Sequence, residues 1–327
     1  MRKNELQLAN FVCTFGSNGE LLTYVDELFI PTFFDDKLVR THGQSSYYIY
    51  EPFWLNLGKE GEGDLAIAGR FVKDMTLTRE QILRRGQLME DYDEMQSSPS
   101  SFFVLLLRDH RLLYFGETSH APEMGAFAST VQIFIRRKWR EYLTDLHAEK
   151  GNKLTHKDLR KQIPMPNIDI VPVAKKAKIK ELLKDFDKIT RLKFRLIRPN
   201  QETDASKVFQ SVRERLQPLD PARLDVELAQ SQGLDHDETV DAVEEAAAGL
   251  NTDIIIRGKD AVGNALKVEN QDLALRIPVA DPPTTKKSLA KKLYKIFEKQ
   301  IESGSLRRQA PGRAIKDKLQ ALANSVL

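Results

Sequence analysis

A chain of 327 residues with 41% apolar and 30% charged content has the balance of a globular soluble protein and room for two domains of ordinary size. It holds no apolar run of the roughly eighteen residues that a spanning helix needs and opens without a secretory leader, so the expected compartment is the cytoplasm. The single cysteine, Cys13, rules out an internal disulfide and a cysteine-rich zinc site.

The formal net charge is only +3, yet it is laid down in blocks: −7 over residues 1–135, +11 over 136–198, −9 over 199–253 and +8 over 254–327. Alternating blocks of this kind suit either a surface for a polyanion or mutual neutralisation within the fold or between subunits.

Taken in order, Leu8 to Phe15 reads as a strand ending at a Gly-Ser-Asn-Gly turn, and Leu21 to Phe34 as a helix. The aromatic stretch Ser46 to Leu57 and the alternating Asp64 to Lys73 read as sheet, their aromatics packing rather than stacking on bases. A helix is expected from about Thr76 through Met89 with Thr78 as its cap, stopped at Ser97-Ser98-Pro99-Ser100. Phe102 to Leu107 is a strand buried on both faces and Arg111 to Phe115 its partner, together the centre of the first sheet. Met124 to His147 is a long helix with Arg136, Arg137 and Arg140 in its middle, a candidate phosphate surface.

Pro164-Met165-Pro166-Asn167 breaks the pattern, and a hinge is expected there. Beyond it, strands at Asp169 to Ala174, Leu192 to Ile197 and Leu224 to Leu228 alternate with helices at Lys178 to Phe186, Ser206 to Leu216 and Glu238 to Ala248. Lys286 to Ile301 is a basic amphipathic helix, and a basic tail, partly mobile, follows Gly304. The fold class expected is α+β, with mixed or antiparallel sheets and flanking helices in two hinged domains. Their bounds are residues 1–163 and 164–303, with the tail at 304–327.

The segment Asn251 to Val279 is the most informative. Period two places Asp253, Ile255, Arg257 and Lys259 on one strand face, Gly263-Asn264 makes a turn, and a return strand from Ala265 carries Lys267. The later alternation of Leu273, Leu275 and Ile277 extends the hairpin into a short meander. Arg257 and Lys259, roughly 6.6 Å apart along a strand, match successive phosphates of a nucleic-acid backbone. With Lys267, Arg136, Arg137 and Arg140 they are the candidate DNA-binding residues. The alternative for the strand pair is a solvated face whose arginine pairs with an acid.

No catalytic constellation stands out. The six histidines lack metal spacing, no Walker loop or nucleophile elbow appears, and neither metal nor cofactor is expected, so the chain reads as a binder rather than an enzyme. The run FFVLLLRDHRLLYFGETSHAP has a partial likeness to the GIY-YIG nuclease motif at Tyr114, Gly116, Glu117 and Thr118, while Phe103-Val104 stands where its Gly-Ile-Tyr run belongs. A metal-dependent nuclease using these residues, or Asp225 with Glu227, is one alternative. A homodimeric protein-interaction module without nucleic acid is another.

The run DIIIRGKDAVG, from Asp253 to Gly263, resembles the corresponding segment of the RexA family, the cytoplasmic component of the lambda prophage exclusion system. The matching residues are Asp253, Ile254, Arg257, Lys259, Asp260 and Gly263. Ser101-Phe102-Phe103, Leu224-Asp225-Val226 and the C-terminal basic helix fall in the same order. Departures are Gly258 and Ala261-Val262 within the motif, and the tail. The resemblance implies a homodimeric, two-domain protein that binds double-stranded DNA with little sequence preference. It further implies a role in anti-phage defence by abortive infection, beside a companion inner-membrane effector, with Arg257 and Lys259 contacting DNA.

Overall fold

The structure, a computed structural model, describes residues 2–16, 19–58, 63–149, 154–197, 223–248, 252–306, 308 and 313–327. The α+β expectation holds, with every strand pairing antiparallel. The expected helix at Ser206 to Leu216 lies outside the described residues.

A large sheet is built around β1 (Glu5–Phe15), β7 (Ser100–Leu106) and β8 (Arg111–Gly116), all buried along almost their whole length. Its order continues through β5 (Asp64–Arg84) and β4 (Ser45–Leu57) to β3 (Arg40–His42), while β2 (Gly19–Glu20) caps the end of β1. Strands this apolar need cover on both faces. On one face lie α1 (Ile30–Phe34) and α2 (Met124–Glu149), where Phe127 meets the rings of Phe71, Phe103 and Tyr114 at centroid distances of 5.4, 5.1 and 5.5 Å. The expected helix before Phe34 is present, though Leu21–Tyr24 winds as a 3-10 turn and Val25–Phe29 as a π turn.

The other face is covered by α7 (Lys286–Glu302), whose Leu289, Leu293, Tyr294 and Phe297 bury against Phe102, Val104, Leu113 and Phe115. The last helix, α8 (Arg313–Val326), is not a loose tail: Leu322 is buried in the α2-side core, with Ile315, Leu319 and Ala323 packed against it.

The stretch read as a helix from Thr76 is strand throughout. β5 runs on to Arg84 and returns as β6 (Gln87–Ser97) through a turn at Arg85 (φ 48°) and Gly86 (φ 81°), the left-handed pair that a two-residue hairpin requires. Thr78 faces Glu94 across this ribbon and caps nothing.

The expected hinge at Pro164 to Asn167 is instead stitched into the first sheet. It follows α3 (His156–Gln162) and leads into β9 (Pro166–Pro172), which pairs with β1 from Phe15↔Pro166 to Ala9↔Pro172. Helix α2 grips the same segment: Gln132 donates to the Pro166 carbonyl at 3.1 Å and accepts from the Ile168 amide at 2.7 Å, and Trp139 donates to the Ile163 carbonyl at 2.9 Å.

The second unit opens just after β9. It holds α4 (Lys176–Leu183), β10 (Lys188–Ile197), β11 (Arg223–Ala229), α5 (His236–Ala248), β12 (Thr252–Lys259), β13 (Ala265–Glu269) and α6 (Asn270–Leu273). The chain then returns as β14 (Arg276–Pro278), which pairs with Glu5 to Gln7 of β1 rather than prolonging the hairpin. Entry and exit touch, through the Ala174↔Ala274 bridge and a hydrogen bond from the Leu275 amide to the Val173 carbonyl (2.7 Å).

A buried ionic cluster fastens the far end of the large sheet. Asp64, 1% exposed, takes bonds from the Tyr294 hydroxyl and the Arg308 guanidinium, and Arg308 also reaches Asp109 at 2.7 Å, with Arg108 3.5 Å from Asp64. Removing one member strands a charge in the interior. Arg308→Met is expected to cost about 3–5 kcal/mol in denaturant unfolding, because both carboxylates lose their shared partner.

Next to it, burial and then the neighbouring Arg111 charge push the His110 imidazole down from 6.5 to about 4. The unfolded chain takes up this proton first, so the neutral ring supports the fold above pH 6.5, and that support is lost as pH falls from there toward 4. His110→Asn, compatible with the left-handed backbone there (φ 49°), is expected to flatten the pH dependence of the urea midpoint across that window.

Candidate nucleic-acid interface

The small sheet has the order β11-β10-β12-β13. One of its faces is apolar: Leu192, Phe194, Ile254, Ile256 and Val268 bury against Ile179 and Leu183 of α4 and Val243 of α5. Period two therefore sends the alternate residues outward, and the burial of β12 alternates as the sequence predicts.

Two cross-strand rows on this outer face are cationic. Arg257 pairs in register with Arg191 on one side and Lys267 on the other, and Lys259 pairs with Lys188. With strands about 4.8 Å apart, the first row carries three cations over about 10 Å. Like charges directly opposed in a sheet destabilise it unless an anion lies by them, and in the first row Glu227 and Glu269 supply that anion to Arg191 and Lys267.

Toward the other end, the same face neutralises itself. Lys193 and Arg195 hold Asp225 at 2.8 and 3.3 Å, Arg195 reaches Asp253 at 3.4 Å, and Arg191 holds Glu227 at 3.2 Å. A cleft of about 260 Å³, lined by Asp169, Arg195, Asp253 and Glu269 among others, separates this end from β9. The acids at 225 and 227 are thus partners for the basic strands, not a paired acid site. Lys267 is partly compensated by its bond to Glu269. Arg257 and Lys259 are both exposed, and their side chains make no hydrogen bond or ion pair among the described residues.

Gly258 explains how these side chains come together. A Cβ there would lie 2.0 Å from the Lys188 carbonyl oxygen, 2.7 Å from the Phe186 ring and 3.0 Å from the Ile189 Cα. The missing side chain lets β12 close on a bulge in β10 between Ile189 and Arg191, and past that bulge Arg191 stands beside Arg257. The hairpin tip is tied by one side chain: the Asp260 carboxylate accepts from the amides of Val262 (3.0 Å) and Asn264 (2.8 Å) and from the Asn264 side chain (3.0 Å). These bonds, the Asn264 side chain foremost, hold the Asp260 carboxyl below its ordinary value.

The α2 arginines stand on a different element. Arg136 is half-buried and donates to the Pro166 carbonyl (3.4 Å), Arg137 pairs with Glu141 (3.3 Å), and Arg140 is exposed. The structure gathers Arg257, Lys259 and Lys267 and adds Arg191 and Lys188, which sequence reading did not single out. The signal for them was the alternation in Lys188 to Ile197, legible only once the pairing register with β12 is known.

The nuclease alternative loses its tyrosine. Tyr114 is fully buried and donates to the Pro122 carbonyl (2.8 Å), and Glu117 is held by Arg70 Nε at 2.9 Å and by Ser100 at 2.9 Å. Asp235 immediately precedes α5 and accepts from the Glu238 amide of its first turn (3.0 Å).

Gly258→Ala is expected to destabilise the small unit by at least about 1–3 kcal/mol, since the obstacle is backbone rather than a movable side chain, with loss of hydrogen-exchange protection in β10 and β12 as the check. No curated protein matches the chain. A family model described as a domain of unknown function, DUF4747, matches residues 152–298, a stretch just under half of the chain that takes in the whole small unit, β9, β14 and most of α7.

Proposed function

We propose that the open face of the small sheet binds double-stranded DNA through its phosphates, with little sequence preference. The observation that carries this reading is the pair of exposed side chains Arg257 and Lys259, which have no partner among the described residues and stand in rows with Arg191, Lys267 and Lys188 on a face that no described helix covers. A polyanion laid over Arg257 and Lys259 meets the two charges of these rows that are exposed and have no carboxylate partner among the described residues, and it releases condensed counterions, which is the main source of affinity in such complexes. No described helix projects from this face to enter a groove, so the contacts fix position on the backbone and carry no base code.

The DIIIRGKDAVG segment and its likeness to the prophage exclusion family support placing this activity in anti-phage defence, as the DNA-sensing member of an abortive-infection pair. In that reading the protein works in the cytoplasm as a homodimer beside an inner-membrane effector. Among the described residues no helix is long and apolar enough to cross a membrane. The protein acts as a binder and needs no cofactor in this role.

The test is duplex affinity against salt. Log affinity should fall linearly with log salt, and Arg257→Ala with Lys259→Ala should weaken every duplex alike while flattening the slope by about 2, at roughly 0.9 per lost phosphate contact. Lys267→Ala should do less, because Glu269 already takes part of its charge. A double variant that binds as tightly as the parent at all salt concentrations would remove the sheet face from the interface.

A further inference from the structure

The β5–β6 ribbon leaves an edge that has no partner among the described residues. β4 stops at Ser45, opposite Met75, and β7 has left β5 by Val72, so among the described residues β5 is paired from Thr76 outward on one side only, by β6. A two-stranded ribbon alone is marginal in water, and its unpaired amides and carbonyls recruit another strand. This one also exposes large apolar side chains: Leu83 is 69% exposed, Leu88 66% and Met95 61%.

We propose that β5 pairs antiparallel with β5 of a second copy of this chain, joining the two ribbons into one four-stranded sheet about a two-fold axis at Glu80. Three observations select that occupant. The free edge runs from Thr76, where β4 ends, to Arg84, where the turn begins, and its midpoint is Glu80. A two-fold axis there sets Leu77 of each copy opposite Leu83 of the other. Since Leu77 already lies across from Met95, and Leu83 across from Leu88, a continuous apolar row of four side chains forms at each end of the joint.

The charges agree with that choice of edge. β6 carries Glu90, Asp91, Asp93 and Glu94, so pairing through β6 would oppose acid to acid. On β5 the bases are already neutralised across the ribbon: Arg79 holds Asp91 and Asp93, each at 3.2 Å, and Arg84 lies 3.8 Å from Asp91. The β5 edge can therefore meet its own copy without like-charge cost from these arginines, and the one acid pair it opposes is Glu80 with Glu80 of the second copy at the axis, against several through β6. The resulting contact is isologous and closes after two copies.

Cross-linking of the full chain, with mass measured in parallel, tests this pairing independently of the DNA reading. At an antiparallel two-fold position the two Cα atoms are about 4.5–5.5 Å apart, within disulfide range, so Glu80→Cys should form a covalent dimer on mild oxidation. Thr78→Cys, whose two copies would be separated by about 14 Å along the strands, should not. Native Cys13 is fully buried and adds no background. Light scattering should give a dimer for the parent and a monomer of unchanged circular dichroism for Leu77→Glu with Leu83→Glu. A parent that stays monomeric through the micromolar range, a Thr78→Cys variant that cross-links as readily as Glu80→Cys, or a folded double variant that remains a dimer would each overturn the proposal.

Discussion

The pairing of β1 along both of its edges is the constraint on which the molecule depends. One edge is committed to β8, which ties β1 into the centre of the large sheet. The other is shared end to end by β9 and β14, the strands through which the chain leaves for the small unit and returns from it. The small unit is therefore an insertion in a sheet edge, not a second domain reached through a flexible linker. Its α4 docks against the returning α6, with the Lys175 amide bonded to the Leu273 carbonyl at 2.9 Å. The cationic face is held out from the large sheet on two adjacent strands rather than on one swivel.

What the sequence makes legible follows from burial. Where one face is buried and the other wet, as in Asp253 to Lys259, period two is clean and the outward residues can be named in advance. Where both faces are buried, as in Phe102 to Leu106, the continuous apolar run gives the strand. The β5–β6 ribbon has neither face buried, so no periodicity is imposed on it. Its Leu77, Ile82, Leu83 and Met89 mimic a helical stripe, and the local mark of the hairpin is the Arg85-Gly86 turn.

The remaining misses concern partners far apart in the chain. Nothing local marks Asp64 as the anchor for Arg308, 244 residues away, or Arg191 as the neighbour of Arg257. The prolines at 164 and 166 do break helix, but a break is equally the start of an edge strand, and only the register with β1 distinguishes the two. In the same way Gly258, which looks like a departure within a basic motif, proves to be the position that permits the motif's geometry.

The insertion has a further consequence for how the chain acquires its structure. Glu5 lies opposite Pro278, so the outer edge of β1 cannot be completed until the chain has been made through residue 278 and the intervening unit has brought β9 and β14 side by side. Such non-local closure lengthens the search for the native topology and leaves β1 half-paired meanwhile. The small unit has its own apolar core between α4, α5 and its sheet, so the outer edge of β1 is closed by strands that a separate core holds together.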